Sequence, residues 1–367
     1  MDGATLTTEL AARLGASYPI FGFTHSIDAV VEVTKAGGIG VWGATRQTPE
    51  EIESGLSEIR SRVGDLPFGM DLVLPSGMPD RDNRDEIEAA IPEEHREFVK
   101  GLREKYAVPN DGLPGARSRF VRSNEMASKQ IEVAIDSSVD VFALGIGSPE
   151  AVIEAAKRRG KTVVSLVGAP KHAERALASG ADILVAQGYD AGAHTGAIGT
   201  FSLVPQVVAV AGSTPVLAAG GVATGRHIAA AFALGAVGVW IGTAWLTTKE
   251  QHADPVTLQK LIAAGAEGTV ISRADSGKTL RQLRTSWSDE WASPDAPAPL
   301  RMPYQDILVG DLLGDIERHE IEPLVHYPAG QGIGWFNAET TVAEVMAGLV
   351  SEAEATLATM SGKTVRG

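Results

Sequence analysis

Residues 214–225 read Thr214-Pro215-Val216-Leu217-Ala218-Ala219-Gly220-Gly221-Val222-Ala223-Thr224-Gly225, and residues 238–244 read Gly238-Val239-Trp240-Ile241-Gly242-Thr243-Ala244. Each is a short apolar run that closes on glycine. A run that is apolar at nearly every position, rather than at every second one, suits a parallel strand covered on both faces. Six earlier runs share the character, at 18–23, 38–43, 67–74, 140–147, 162–168 and 181–188, and the quoted stretches add 214–221 and 238–246. Helical patterns at 28–36, 49–63, 150–159, 171–179, 203–211 and 225–234 fall between or after them. Thr48-Pro49 and Ser148-Pro149 each set a capping residue before a proline suited to the first helical position. Gly37, Gly160, Gly180 and Gly235 stand where a helix turns out of its last turn. Repeated strand–helix units give right-handed crossovers and a parallel sheet. Eight of them predict a closed (β/α)8 TIM barrel; six would have predicted a doubly wound sheet.

Two segments interrupt the alternation. Residues 75–123 are charged and proline-spotted, with a helix expected near 92–105. After residue 246 come helical stretches near 255–264, 304–319 and 341–360, and a Pro/Ala-rich linker at 293–300. A barrel needs one closing helix, so the surplus is expected over one face. The expected organisation is a barrel at 1–250 with its insertion at 75–123, a helical lid or small second domain at 251–340, and a C-terminal helix at 341–367 returning to the barrel.

Composition narrows the function classes. Lys and Arg total 32 against 46 Asp and Glu, a net charge of −14. That argues against nucleic-acid and anionic-membrane binding, and it leaves any bound anion to backbone N–H groups or a few placed cations. There is no cysteine, hence no disulfide, thiolate metal site or cysteine nucleophile. Residues 1–17 lack the basic start and apolar run of a secretory signal, and the apolar stretch 204–221 is broken by Gly212, Ser213, Thr214 and Pro215. A cytoplasmic location is the expectation.

Barrel enzymes carry their sites at the C-terminal ends of the strands, often with a phosphate held after the seventh and eighth. Gly220, Gly221 and Gly242 stand at both places. They either make tight turns or let the backbone, with the N-terminus of the helix that starts near Thr224, approach an anion closely, and their coincidence at two strand ends favours the anion. The loop after the sixth strand, Gln187-Gly188-Tyr189-Asp190-Ala191-Gly192-Ala193-His194-Thr195-Gly196, contains one histidine. His194 is either a surface residue or a group that moves a proton near neutral pH. Lys171-His172 and His227 are read as surface and structural residues, and Trp240, Trp245, Trp287 and Trp291 as core or lid packing. No metal-ligand spacing, nucleophile elbow or Walker loop is present.

The set Gln187-Gly188, Ala191-Gly192 and His194, followed by Ala219-Gly220-Gly221-Val222 and Ile241-Gly242-Thr243, resembles the nitronate monooxygenase family, once called 2-nitropropane dioxygenases. Tyr18-Pro19-Ile20, Ala36-Gly37-Gly38-Ile39-Gly40, Ser276-Gly277-Lys278 with Arg281, and Gln331-Gly332-Ile333-Gly334 are similar to that family too. The likeness spans the barrel and much of the tail but not 75–123. It implies FMN with its phosphate on Gly221, Gly242 and Thr243, beside Gly220. It also implies Gly22, Phe23, Thr24 and His25 along the ring, and Asp71, Gln187, Gly192 and Ala193 beside the cofactor. His194 would be the catalytic base or orienting acid. An alkyl nitronate, or a nitroalkane, would be oxidised with O2 to nitrite and a carbonyl compound. The partners implied are a small-molecule substrate and O2, with homodimerisation left open.

The chain departs from the family at three places. Methionine is usual near His25, asparagine at Asp71 and glycine at Ala193. A carboxylate beside a flavin disfavours the anionic reduced form unless it is protonated or paired, and His25 is the expected partner. The alternatives are an NAD(P)H-dependent enoyl-thioester or quinone reductase on the same barrel, and a non-redox flavin- or phosphosugar-binding barrel.

Overall fold

The structure is a computed structural model that describes residues 6–75 and 77–361. Residues 1–5, within the amino-terminal stretch read above, and 362–367, the end of the expected last helix, lie outside it. Eight parallel strands close into a barrel: β1 (Ile20–Thr24), β2 (Ile39–Gly43), β3 (Gly69–Val73), β4 (Val141–Ile146), β5 (Thr162–Val167), β6 (Ile183–Gln187), β8 (Val216–Ala219) and β9 (Gly238–Ile241). Closure is by β1 on β9, with Ile20 opposite Val239 and Gly22 opposite Ile241. Three further strands, β7 (Ala193–His194), β10 (Thr269–Ser272) and β11 (Leu280–Leu283), form a separate antiparallel sheet. The helices are α1 (Glu9–Leu14), α2 (Ile27–Lys35), α3 (Pro49–Val63), α4 (Arg84–Ala90), α5 (Glu93–Lys105), α6 (Asn124–Asp136), α7 (Glu150–Arg158) and α8 (Pro170–Ala178). They continue as α9 (Thr200–Ala211), α10 (Gly225–Ala233), α11 (Pro255–Ala263), α12 (Ser286–Trp291), α13 (Tyr304–Arg318) and α14 (Val342–Ser361).

The local signals hold with two corrections. Thr48 and Glu51 form the capping box that starts α3, with Pro49 in its first turn. Ser148 does not cap α7; its hydroxyl pairs with Ser165 at 3.2 Å and Pro149 takes the cap position. The last barrel strand was expected to run to residue 246 but stops at Ile241. Gly242 leaves the extended region and a 3-10 turn, Thr243–Trp245, follows. That turn buries Trp245 completely and lets its indole N–H donate to the Ile241 carbonyl at 2.8 Å.

The helix crossing from β3 to β4 is α6, which the sequence reading passed over; Ser123 caps it. The insertion ahead of it and the tail pack on each other. Leu102 and Val108 from the insertion share a cluster with Trp287, Trp291, Val309, Leu312, Leu313 and Ile316 from the tail. Ile87, Ile91 and Val121 join Ile307 in another. The two excursions thus make one cap. Its tightest seam is Gly115 against α13, where an added Cβ would fall 1.9 Å from the Gly310 carbonyl oxygen. At the other end of the tail, α14 buries Met346, Leu349 and Ala353 in the barrel's outer core. No helix among the described residues is long and apolar enough to cross a membrane.

Gly115→Val tests the seam. The side chain has backbone on its far side and must push the insertion off α13, so a loss of about 1–3 kcal/mol in chemical denaturation is expected. Unchanged stability would show that the cap is not held there.

Candidate active site

A cavity of about 360 Å³ opens at the C-terminal ends of the barrel strands, under the cap. Phe23, Thr24, His25, Asp71, Gln187, Gly192, Ala193, His194, Gly220, Gly221, Gly242 and Thr243 all line it. Gly22 is the exception among the expected residues. Its side-chain direction faces Val33 and Trp245, outside the barrel, where an added Cβ would lie 2.7 Å from a Val33 methyl. Side chains of a strand alternate between faces, so Phe23 looks inward and Gly22 outward. Phe23 stacks on Trp240 at 5.9 Å to form the cavity floor.

His194 is held from three sides. The cap strand β11 pairs with the loop strand β7, Leu280 opposite His194 and Arg281 opposite Ala193. Gln187 donates from Nε2 to the His194 carbonyl at 2.8 Å. The His194 Nε2 lies 2.9 Å from the Ser276 hydroxyl. Arg281 fixes the same loop by donating to the Tyr189 carbonyl at 3.2 and 3.1 Å. Burial lowers the His194 pKa to about 4, and Arg117, Lys278 and Arg46 push the same way against the pull of Asp306. The ring is therefore neutral at neutral pH. Gly192 is needed for packing, since its Cβ would sit 2.8 Å from the backbone of Ala329 and Gly330. Ala193 stands where a glycine was expected and holds φ at 59°, in the left-handed region.

The glycine cradle is built from loops rather than from a helix end. Gly220 and Gly221 have φ of 98° and 74°. Among the described residues, no protein acceptor takes the N–H groups of Gly221, Val222 or Ala223. The start of α10, read as part of the cradle, is already used. His227 Nδ1 accepts from the Thr224 N–H at 3.2 Å, and Glu352 of α14 accepts from the Gly225 N–H at 2.8 Å. At Gly242 an added Cβ would meet nothing nearer than the Phe23 carbonyl oxygen at 3.7 Å, so only glycine keeps that space open. The Thr243 hydroxyl accepts from the Gly330 N–H at 2.9 Å and keeps its own proton to donate. Unclaimed backbone N–H groups at these two strand ends fit a phosphate held by backbone.

Across the barrel, at β3, Asp71 is 4% exposed and its Oδ1 has no partner. Burial raises its pKa well above the ordinary 3.8, against the attraction of Arg122, which favours the protonated acid at the cavity wall. His25, its expected partner, is engaged elsewhere: Nδ1 donates to the Gly43 carbonyl at 2.6 Å. Burial, then the cations Arg46 and Arg117, lower the His25 pKa despite that bond. The Thr24 hydroxyl donates to Gln251 at 2.8 Å, which ties the end of β1 to the tail.

The sequence reading missed a buried charge network in the cap. Asp306 accepts from Arg46 at 3.0 Å and Arg117 at 3.3 Å. Asp275 accepts from Arg117 at 3.2 Å, the Trp287 indole at 2.9 Å and His326 at 3.2 Å. Burial alone would raise Asp275, but His326 and Arg117 hold it below the usual carboxylate range. Burial alone would lower His326, but Asp275 raises it. Only the position of Asp275 beside Ser276-Gly277-Lys278 offered a signal. His172 is exposed and stands outside the cavity.

Residues 18–352 match the profile of a family described as nitronate monooxygenase. A Mycobacterium tuberculosis protein provisionally named a monooxygenase is 39% identical over 98% of this chain and 100% of its own length. A Staphylococcus saprophyticus protein provisionally named a nitronate monooxygenase is 29% identical over 89% of this chain and 92% of its own. The solved structure of a nitroalkane oxidase from Streptomyces ansochromogenes matches with a TM-score of 0.81 at 25% identity, over 96% of this chain and 100% of that one.

Two substitutions test the two walls. Gly242→Val has room to fold but fills the cradle, so the purified protein should keep its melting temperature and lose its flavin; full flavin content would contradict the cradle. Asp71→Asn bears on the neutral acid. In the unfolded chain Asp71 ionises near 3.8, while the folded protein still holds the proton. Stability from this group therefore falls as pH rises from 3.8 through the folded value. Asp71→Asn should be more stable than the parent near neutral pH in urea unfolding, with the gap closing below about pH 4. A gap that widens on acidification would show the carboxyl to be ionised.

Proposed function

The chain belongs to the nitronate monooxygenase family and is a flavin-dependent oxidoreductase; from that premise we propose that its flavin is FMN and that it oxidises alkyl nitronates with O2. The C–N bond of the nitronate is broken, nitrogen leaves as nitrite and the carbon becomes a carbonyl. FMN supplies the electron-transfer chemistry when bound. A mononucleotide is favoured because one backbone cradle for one phosphate lies at β8 and β9, and the sequence has no dinucleotide turn of the Gly-x-Gly-x-x-Gly kind.

The observation that carries the substrate is the neutral His194. Its pKa of about 4 makes it a weak base, poorly suited to pull the α-proton from a neutral nitroalkane. It is well suited to sit beside an anion whose proton has already gone. Ser276, 2.9 Å from Nε2, and Gln187, 2.8 Å from the main-chain carbonyl, keep the ring in one orientation at the cavity wall. The cap covers the site, and burial there strengthens the electrostatic interactions inside.

The test is the absorbance spectrum of the purified protein, with and without a small alkyl nitronate in air, together with a nitrite assay and identification of the released chromophore. FMN and nitronate-dependent nitrite are expected. FAD, or bleaching by NAD(P)H with no nitrite from any nitronate, would replace this reading with a reductase. A pH profile adds the role of His194. Since the ring gains its proton near 4 rather than 6.5, kcat/KM for the nitronate should stay level from about pH 8 to about pH 5.5. A loss centred on 6.5 would contradict a neutral buried ring. Flavin-loaded His194→Asn should lose about 10-fold on the preformed nitronate, whose anion the ring orients, and no more than that on a neutral nitroalkane, whose proton the ring is too weak a base to take. Equal, undiminished rates on both would remove His194 from the chemistry.

A further inference from the structure

Three guanidinium groups reach the cavity, and only two are matched by carboxylates. Arg46 and Arg117 are taken by Asp306 and Asp275. Arg122, the last residue but one of the insertion, is 9% exposed and donates from Nη2 to the Val73 carbonyl at the end of β3. Among the described residues it makes no ion pair, and its other N–H donors have no protein partner. It lines the cavity beside Asp71, Gly145 and Ile146. Arg46 and Arg117 repel it, and Asp71 and Asp306 attract it without pairing. An unpaired charge buried in this way is costly, and proteins keep one chiefly where a ligand completes it.

The position is built. Ser123, the next residue, caps α6, which anchors the Arg122 backbone to the barrel. Bonding to Val73 fixes one arm of the guanidinium where the β3–β4 register shifts. What remains is a planar fork of donors, buried and without an ion-pair partner, at the wall of the cavity. Such a fork matches an anion with two coplanar oxygens and discriminates against neutral ligands.

We propose that Arg122 is the anion-binding residue of the active site and receives a planar two-oxygen anion, the nitronate group itself or a carboxylate on the same substrate. The proposal rests on the function argued above and extends it to a residue of the insertion. Asp71 lines the same cavity with its Oδ1 unpartnered; with its carboxyl protonated it offers an O–H to the same oxygens, where an ionised carboxylate would repel them.

Binding is measured apart from turnover. Nitrate, a planar oxyanion that the enzyme cannot oxidise, and propionate are titrated against the flavin-loaded protein, read by perturbation of the flavin spectrum and by thermal shift. Both should bind the parent and bind Arg122→Gln about 10- to 100-fold more weakly. Arg122→Lys, which keeps the charge and loses the fork, should fall between them. In turnover, KM for a plain alkyl nitronate rises with little change in kcat if the fork holds the nitronate. If it rises only for a nitronate that also carries a carboxylate, the fork holds the carboxylate. Equal affinity of parent and both variants for nitrate and propionate overturns the proposal, as does anion binding unchanged in a folded Arg122→Lys should Arg122→Gln fail to fold. Anion binding that depends on Arg122 in a protein that forms no nitrite from any nitronate would leave this subsite standing and remove the proposed reaction.

Discussion

Two residue pairs, His194 with Leu280 and Ala193 with Arg281, join the loop after β6 to the cap. The barrel alone would leave that loop glycine-rich and free to move. The pairing turns it into the edge of a sheet, and Ser276, four residues before Leu280, then falls within 2.9 Å of the imidazole. Ala193 accepts the left-handed backbone that this join demands, a conformation costing about 1–2 kcal/mol for a residue with a Cβ. The strain is located where the site is assembled, and it is held by Gln187 and Arg281 on either side of the loop.

The cap is equally the origin of the electrostatics. A barrel cavity lined by Phe23, Leu166, Trp240 and Ile241 would be largely apolar. The insertion and the tail bring Arg117, Arg122, Asp275, Asp306 and His326 over it. Their charges nearly cancel in pairs, which is the condition under which buried ions persist. His194 feels the remainder. Its lowered basicity follows first from burial and then from Arg117 and Lys278 of the cap, with Arg46 of the loop after β2 adding to them. A site opened to water would return it toward the ordinary imidazole range and make it a better base, but a worse neighbour for an anion.

The barrel was legible because its strands are covered on both faces and therefore read as unbroken apolar runs between glycine-ended helices. The cradle was legible because Gly220, Gly221 and Gly242 fall at strand ends whose order had been counted. What was not legible has three physical causes. Gly22 was placed in the cavity with Phe23 because a motif lists neighbours without regard to strand alternation. The start of α10 was assigned to the phosphate because nothing local announces that Glu352, 127 residues away in sequence, takes the Gly225 N–H. The charge network joins residues 46, 117, 275 and 306, and no spacing rule connects positions that meet only when an insertion and a tail fold together.

Asp71 and Arg122 each influence the charge state of the other. Were Asp71 ionised it would add its attraction to that of Asp306 on an unpaired guanidinium and quench the positive charge there. Burial prevents this: the low-dielectric wall disfavours the carboxylate more than Arg122 favours it. The same burial lowers Arg122 only to about 10, so it stays charged throughout the neutral range. The wall therefore presents one full cation and one neutral acid rather than a self-satisfied ion pair. Where the family usually carries asparagine, an ionised aspartate would repel an anionic substrate; a protonated one has nearly the shape and the donor–acceptor character of the amide. The substitution is compatible with anion binding only while the site stays dry, which ties the identity of residue 71 to the cap that covers it.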